Sequence, residues 1–332
     1  MTVQKGIKDE LLALYEVKTV TGSQNDALEF IKKSLKGFCD EIFADDMGNI
    51  YACKKGYGEN RRKIAVVCPF DEAGFVVRDA SGKSAKLHAL GTKAFSSLFG
   101  KKAKVCGKGI SGVVLFDGEK PEADGFYLET GADAFDEGIS NGDFVCICEE
   151  PIFLSGDKVA LNSLCSKAHA ASLIDIAKCT GAFSFDLTFV FVASHLLASR
   201  GEKCAAFVAD ADECICLDMC EDGITAVGKG PCIAFSDVGG NCSRELVGKL
   251  ENAAQNIGIV YQLKADNDKE RPSVIAPFLA NGTKTALVSV PAKKLSQGLG
   301  VCDLCDLRGA AALVCAYLIF EETEKEEENE DK

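Results

Sequence analysis

An acidic pair follows an apolar segment early in the chain, in the stretch AVVCPFDEAGFVV at residues 65–77. Asp71 and Glu72 come directly after a run that is typical of a buried strand. Carboxylates at such a strand end are unfavourable unless they bind a metal, move a proton or accept hydrogen bonds. The pair therefore suggests chemistry. Pro69, however, lies two residues before Asp71, where a side chain could take part in the same site. Proline can neither ligate a metal nor transfer a proton.

Histidine is scarce, with three residues in the chain. His88 lies in a glycine-rich segment and His169 in a predicted helix, whereas His195 follows a predicted strand. His195 and Asp210 together could hold a metal, but two ligands are too few for a tight site. Ser194 precedes His195, and adjacent strand residues point to opposite faces, so we expect no nucleophile–base dyad.

Cysteine is abundant, with 17 residues. The odd number, the chain length and the lack of an export signal favour reduced cysteines that serve as small core residues. Cys302 and Cys305 have zinc-ligand spacing, and a second pair, Cys216 and Cys220, could complete a site. A cysteine-based metal or redox module therefore stays open as an alternative.

Composition excludes several classes of protein. The 332-residue chain is 47% hydrophobic and carries a net charge of −13, which argues against nucleic acid as a partner. No apolar run reaches the roughly 18 residues of a membrane span, and no secretory signal is evident. We therefore expect a cytoplasmic protein with no membrane partner. The acidic end EETEKEEENEDK, residues 321–332, is predicted to be a disordered tail.

The order of patterns predicts an α/β domain interrupted by a β domain. Residues 1–77 and 157–320 alternate helical and strand patterns, whereas residues 78–156 have short apolar runs separated by glycines, as in a small β-barrel. We predict helices over 23–38, 162–179, 243–258 and 306–320, a hairpin over 45–55, and strands over 183–194, 203–212 and 285–291.

Several stretches in the same order resemble the M42 family of metallo-aminopeptidases. They are TGSQNDALEFIKKSL, DDMGNIYA, CPFDEAGFVV, VGKGPCI and VSVPAKKLS, and the resemblance extends over about residues 5–320. It implies a three-layer, zinc-peptidase-like α/β domain with an inserted β-barrel that takes part in oligomerisation.

The resemblance also implies a site with two divalent metal ions, zinc or cobalt. The family ligands are a histidine, a bridging aspartate, a glutamate, an aspartate and a second histidine, and a further glutamate is the general base. In this chain the corresponding positions are Pro69, Asn162, His195, Asp210 and Ser296, with Ser194 at the position of the general base. Asp71 remains as the carboxylate that would orient the first histidine.

Most of these positions can no longer bind metal or act as a base. Asn162 carries no charge with which to bridge two cations, and Ser194 is no general base at neutral pH. We therefore predict a pseudo-peptidase without a metal cofactor: a structural or peptide-binding homo-oligomer, at least a dimer, with peptides or an active homologue as possible partners. The alternative is an active metal-dependent aminopeptidase with a rearranged metal site.

Overall fold

The computed structural model describes residues 6–23, 25–92, 94–265, 271–295 and 298–330. The helices are α1 Gly6–Tyr15, α2 Asn25–Ser34, α3 Leu164–Cys179, α4 Arg200–Ala209, α5 Arg244–Asn256, α6 Ala276–Ala280 and α7 Leu304–Glu330, with a short 3₁₀ helix at Phe95–Ser97. The strands are β1 Glu41–Ala44, β2 Ile50–Lys54, β3 Lys63–Pro69, β4 Gly74–Asp79, β5 Ala85–Leu90, β6 Lys102–Val105, β7 Ser111–Phe116, β8 Phe126–Glu129, β9 Phe144–Ile147, β10 Ile152–Leu154, β11 Lys158–Asn162, β12 Asp186–Val192, β13 Glu213–Glu221, β14 Cys232–Asp237, β15 Gly240–Asn241, β16 Gln262–Ala265, β17 Lys284–Lys293 and β18 Leu299–Asp303.

The large sheet has the central order β12-β3-β13-β17, and these four strands are parallel to one another. Side chains of β3 alternate between two helical layers. Ile64, Val66 and Cys68 pack with α1, α3, α5 and α7, whereas Ala65 and Val67 pack with α4 and α6. Burial on both faces explains the nearly continuous apolar sequence of these strands. The predicted three-layer α/β class is confirmed.

The inserted domain is a closed barrel of strands β4, β5, β8, β7, β6 and β9 with its own apolar core. The prediction of an inserted β-barrel is therefore correct, but its limits shift. The barrel begins with Gly74 rather than at residue 78, because the segment at Phe70–Ala73 separates β3 from β4. It ends with Ile147, because β10 pairs with β11 in the large sheet.

One predicted strand is a helix. Residues 203–212 were expected to form a strand, but Arg200–Ala209 is α4, and the strand that follows is β13. Gly201 allows α4 to pack tightly on the end of β12, since a Cβ there would lie 1.6 Å from the carbonyl oxygen of Ala193. This difference changes which carboxylate lies near the cleft, because the strand in this part of the chain is Glu213–Glu221 and not residues 203–212.

The acidic end of the chain, predicted to be a disordered tail, continues α7 to Glu330, and residues 331–332 lie outside the described part. Glu321 is buried and forms ion pairs with Arg62 at 2.6 Å and Lys249 at 2.8 Å. Glu322 accepts a hydrogen bond from the backbone nitrogen of Ser184 at 2.6 Å. Within the described ranges, no helix is both long and apolar enough to cross a membrane.

Candidate functional site

A cleft of about 740 Å³ lies where the carboxyl ends of the central strands meet the barrel. Pro69 and His195 line it from the sheet, and Leu98 and Ile147 line it from the barrel side. Arg271, whose side chain is partly exposed, also lines the cleft. Clefts at the carboxyl ends of parallel strands are the usual ligand sites of α/β folds, so this cleft is the candidate functional site.

Strand register explains which side chains converge there. Val192, the last residue of β12, pairs with Pro69, the last residue of β3. On the other side of β3, Cys216 of β13 pairs with Val67, which places Asp218 at the level of Pro69. Residues that follow these three strands therefore share one edge of the sheet.

Asp71 lies at the floor of the cleft and is buried. Its Oδ2 accepts a hydrogen bond of 3.1 Å from the backbone nitrogen of Leu196. Its Oδ1 is shielded from solvent, and the side chain of Thr21 lies within hydrogen-bond reach of the carboxylate. Burial raises the pKa of Asp71 to about 6, although the nearby charge of His195 lowers it. Pro69 offers this carboxylate no N–H or side-chain donor.

His195 is buried and pairs through Nδ1 with the carboxylate of Glu202, which projects from α4 and is fully buried. Burial lowers the pKa of His195, but Glu202 and the more distant Asp218 and Asp71 outweigh it and raise the pKa to about 9. The imidazole is therefore charged at neutral pH and serves as a cation. Ser194, just before it, is buried with a left-handed φ of 56°.

Asp218 lies within β13 at the level of Pro69, and its carboxylate is already paired. Its Oδ1 lies 2.8 Å from Nη2 of Arg271 and accepts a hydrogen bond of 2.8 Å from Sγ of Cys165. Burial raises the pKa of Asp218, but the charges of Arg271 and His195 outweigh burial and hold it below its usual value. Arg271 also donates to the carbonyl oxygen of Met219. A guanidinium thus occupies the position beside Asp218 where a metal ion could otherwise bind.

Asn162 ends β11 at the opposite wall of the cleft and donates from Nδ2 to the carboxylate of Glu149. Ser163, the next residue, has a left-handed φ of 55° before α3 begins. Left-handed conformations of residues other than glycine are uncommon and often mark functional turns. Ser163 and Ser194 are two such positions at this edge of the sheet.

Asp210 does not belong to this group. It follows α4 at the opposite edge of the sheet, where its exposed carboxylate lies 2.6 Å from Nζ of Lys63 at the start of β3. There it lines a separate groove of about 590 Å³. The prediction of Asp210 as a site residue therefore does not fit its position. The carboxylate at the level of Pro69 is that of Asp218, because the strand beside β3 is β13 and not residues 203–212. Ser296, the other predicted position, lies outside the described residues.

The remaining histidines lie apart from the cleft lining. His88 on the barrel pairs with Asp124 at 2.6 Å. His169 on α3 is fully buried, and burial lowers its pKa to about 4, so it is neutral.

The cysteines are free thiols, and the predicted cysteine pairs differ in exposure. Cys302 is buried at the end of β18, whereas Cys305 is exposed on α7, next to Asp157 and Arg308. Cys216 and Cys220 are buried along β13. Across the described ranges, no group of three or more His, Cys, Asp or Glu side chains could hold a metal ion.

The described residues do not fit the two divalent ions that the resemblance implies. Asp218 is bonded to a guanidinium, His195 is a charged imidazole paired with Glu202, and Pro69 offers no ligand atom. Metal ligands must be available and, for histidine, neutral.

Sequence reasoning missed Glu202, Asp218 and Arg271. One signal was present for Asp218, because it is the polar residue in the otherwise apolar middle of ECICLDMCE. Glu202 lies on α4, and Arg271 lies in the segment before α6. Only tertiary packing brings Glu202 to His195 and Arg271 to Asp218.

The chain is similar to known aminopeptidases along most of its length. Residues 48–313 match the family described as M42 glutamyl aminopeptidase. A protein of Acetivibrio thermocellus named "Putative aminopeptidase" is 26% identical over 312 residues, which cover 89% of this chain and 93% of that protein. An aminopeptidase of Desulfurococcus kamchatkensis aligns with a TM-score of 0.85 at 18% identity, covering 94% of each chain. A TET peptidase of Pyrococcus horikoshii, which can assemble into a tetrahedron or a large octahedral shell, aligns with a TM-score of 0.84 at 21% identity, covering 94% of this chain and 99% of that one.

Proposed function

This chain belongs to the M42 glutamyl aminopeptidase family, and from that premise we propose that it is a non-catalytic member whose cleft binds peptides. The observation that supports this proposal is the ion pair between Asp218 and Arg271, at the level of Pro69, which corresponds to the first family ligand. A carboxylate that is bonded to an internal guanidinium already has its charge offset, and a metal ion would have to displace an arginine to reach it.

The residues at the other family ligand positions also disfavour metal binding. Losing one ligand or its supporting residue lowers metal affinity by about ten- to a hundredfold in characterised sites. Pro69 and Asn162 remove a neutral imidazole and an anionic bridge, and His195 replaces a carboxylate by a cation. Ser194 has no carboxylate with which to activate water. These losses accumulate, so both metal binding and proton transfer fail.

The cleft itself persists, and this favours a binding role over a purely structural one. Its volume of about 740 Å³ is in the range of small-molecule and peptide sites. Leucine side chains at 164, 196 and 295 line it beside the polar floor. An apolar wall next to a polar floor suits the first residues of a peptide.

Assembly forms part of the proposal. The similar peptidase of Pyrococcus horikoshii forms closed shells, and this chain has a complete barrel of the kind expected to make contacts between subunits. We expect at least a homodimer in the cytoplasm, with mixing with an active homologue as a further arrangement. Light scattering at micromolar concentration measures this, and a monomeric mass would contradict it.

The decisive experiment combines metal analysis with a peptidase assay. The purified protein, incubated with zinc or cobalt and then freed of excess metal, should retain far less than one equivalent and release no amino-terminal residue from short peptides. An active M42 aminopeptidase treated in parallel is the positive control. Chelator-sensitive turnover with about two bound metals would refute the proposal and favour the alternative of an active enzyme with a rearranged site. Metal that is lost after Cys302→Ser and Cys305→Ser would favour the cysteine module.

A further inference from the structure

Helix α4 exposes a large aromatic side chain on the face that points away from the sheet. Phe207 is 78% exposed, whereas its neighbours Ala205 and Ala206 are buried in the apolar layer beneath the helix. A single exposed apolar side chain is common in soluble proteins and by itself indicates nothing. The charged residues that flank Phe207 along the helix give it significance.

Four exposed side chains lie along one stripe of this helix. Arg200, Lys203, Phe207 and Asp210 follow one another at spacings of three, four and three residues, which places them on the same face. We call them the α4 stripe. It is basic at the helix start, aromatic in the middle and acidic at the residue that caps the helix end. Within the described ranges, Arg200 and Lys203 form no ion pair, and Asp210 has only an exposed pair with Lys63.

The order of charges along the stripe is opposite to the order that a helix favours on its own. The start of a helix carries a partial positive charge, and its end carries a partial negative charge. Arg200 and Lys203 are nevertheless at the start, Asp210 is at the end, and the last turn has no basic residue. Glu202 in the first turn is acidic, but it is buried and paired with His195. The exposed charges of α4 are therefore compensated only from outside the helix.

A second α4 that runs antiparallel to the first compensates both ends. The midpoint between positions 203 and 210 lies beside Phe207, so a two-fold axis there brings Lys203 of one copy to Asp210 of the other, and the reverse. The two Phe207 rings then meet at the axis, where they exclude water and contact each other. The result is an apolar centre with a charged rim, which is the usual arrangement of a specific interface.

We propose that the α4 stripe is a self-association surface, on which the α4 helices of two copies of this chain pack antiparallel across Phe207. The occupant is a second copy because the stripe itself supplies both of the charges that the contact needs. This inference goes beyond the proposed function, since it adds a contact on the α/β domain to those expected of the barrel. It does not depend on what the cleft binds.

Sedimentation velocity over a dilution series tests the contact with Phe207→Ser. The position is exposed, so the melting temperature of the variant should stay within about 1 °C of that of the unmodified protein. Association should weaken at least about tenfold, because both copies lose the central side chain. Ile224→Ser is the matched control: Ile224 is 86% exposed on the loop after β13, and its replacement should leave association unchanged.

Exchange of the two charges identifies the occupant. Lys203→Glu places a carboxylate opposite Asp210 of the other copy, and Asp210→Lys places a cation opposite Lys203, so each single change should weaken association. The double variant with Lys203→Glu and Asp210→Lys restores opposite charges across the two-fold axis. It should therefore associate within about threefold of the unmodified protein. Recovery in the double variant requires that both charges belong to the same contact between two copies.

Three results would overturn the inference. Unchanged association of Phe207→Ser would show that α4 makes no contact between copies, and it would leave the proposed function untouched. Loss of association in Phe207→Ser without recovery in the double charge exchange would assign the surface to another part of the chain or to another protein. A monomeric unmodified protein at every concentration would refute this contact together with the proposed assembly.

Discussion

Replacement of Arg271 by methionine should destabilise the protein, because it leaves the carboxylate of Asp218 buried without its guanidinium. Removing one partner of a fully buried ion pair costs about 3–5 kcal/mol. Here the side chains of Arg271 and Asp218 are 23% and 10% exposed, so water reaches the pair and the expected cost is smaller, about 2 kcal/mol. Because the entropy of unfolding is about 2.1 cal/mol/K per residue, this corresponds in a chain of 332 residues to a decrease in melting temperature of about 3 °C.

A double-mutant cycle isolates the pair from the other contacts of Arg271. Asp218→Asn removes the charge that Arg271→Met would strand, so the double variant should recover part of the loss, with a coupling of about 1 kcal/mol or more. Melting is followed by fluorescence at one scan rate, since a chain of this size need not unfold in two states. Lys63→Met is the matched control. It removes a cation from the exposed pair with Asp210 and should lower the melting temperature by about 1 °C or less.

Two results would refute this reasoning. If Arg271→Met melts within about 1 °C of the unmodified protein, Asp218 does not depend on the guanidinium. If the effects of Arg271→Met and Asp218→Asn simply add, the two side chains do not form the energetic unit described here. In either case the argument that an internal cation displaces the metal would lose its basis.

Three further predictions concern the end of the chain, pH and repair of the site. Truncation after residue 320 removes the buried carboxylate of Glu321 and should lower the melting temperature by several degrees, whereas truncation after Thr323 should change it by about 1 °C or less. His195 has a folded pKa raised to about 9, so its stabilising contribution is complete below its unfolded value of about 6.5 and is lost as pH rises through 9. The melting temperature should therefore fall over this range more steeply than in His195→Gln, and equal slopes would contradict the assignment. Pro69→His restores one imidazole and should give neither tight metal binding nor peptide cleavage, and chelator-sensitive turnover by this variant would show that the remaining ligands are misassigned.

The order of elements was predictable because local patterns determined it. The hairpin around residues 45–49 contains a turn signal, and Ser243 caps α5 by accepting from the backbone nitrogen of Leu246. The buried parallel strand β17 has a continuous apolar sequence. Such features depend on a few neighbouring residues, and the sequence contains all of them.

The misplaced strand shows where local patterns fail. Residues 204–209, CAAFVA, are apolar throughout, and a short apolar run does not distinguish a helix from a buried strand. Tertiary packing decides the outcome: Gly201 lets α4 approach β12 closely, and β13 fills the sheet beside β3. The error directed attention to Asp210, at the opposite edge of the sheet, rather than to Asp218 at the level of Pro69. Long-range pairing, and not local propensity, therefore limited the prediction of the site.

The carboxylates of this region show why the cleft can be stable without metal. Glu72 pairs with Lys167, Glu202 with His195 and Asp218 with Arg271, so each has a cation supplied by the chain itself. Internal cations stabilise the folded state without a bound ion, and they also occupy the lone pairs that a metal would use. Asp71 differs, because it shares the field of His195 but has no ion-pair partner of its own among the described residues. Three of these four carboxylates are thus paired with cations of the chain itself and the fourth is shielded from solvent, so the site is poorly suited to activating water.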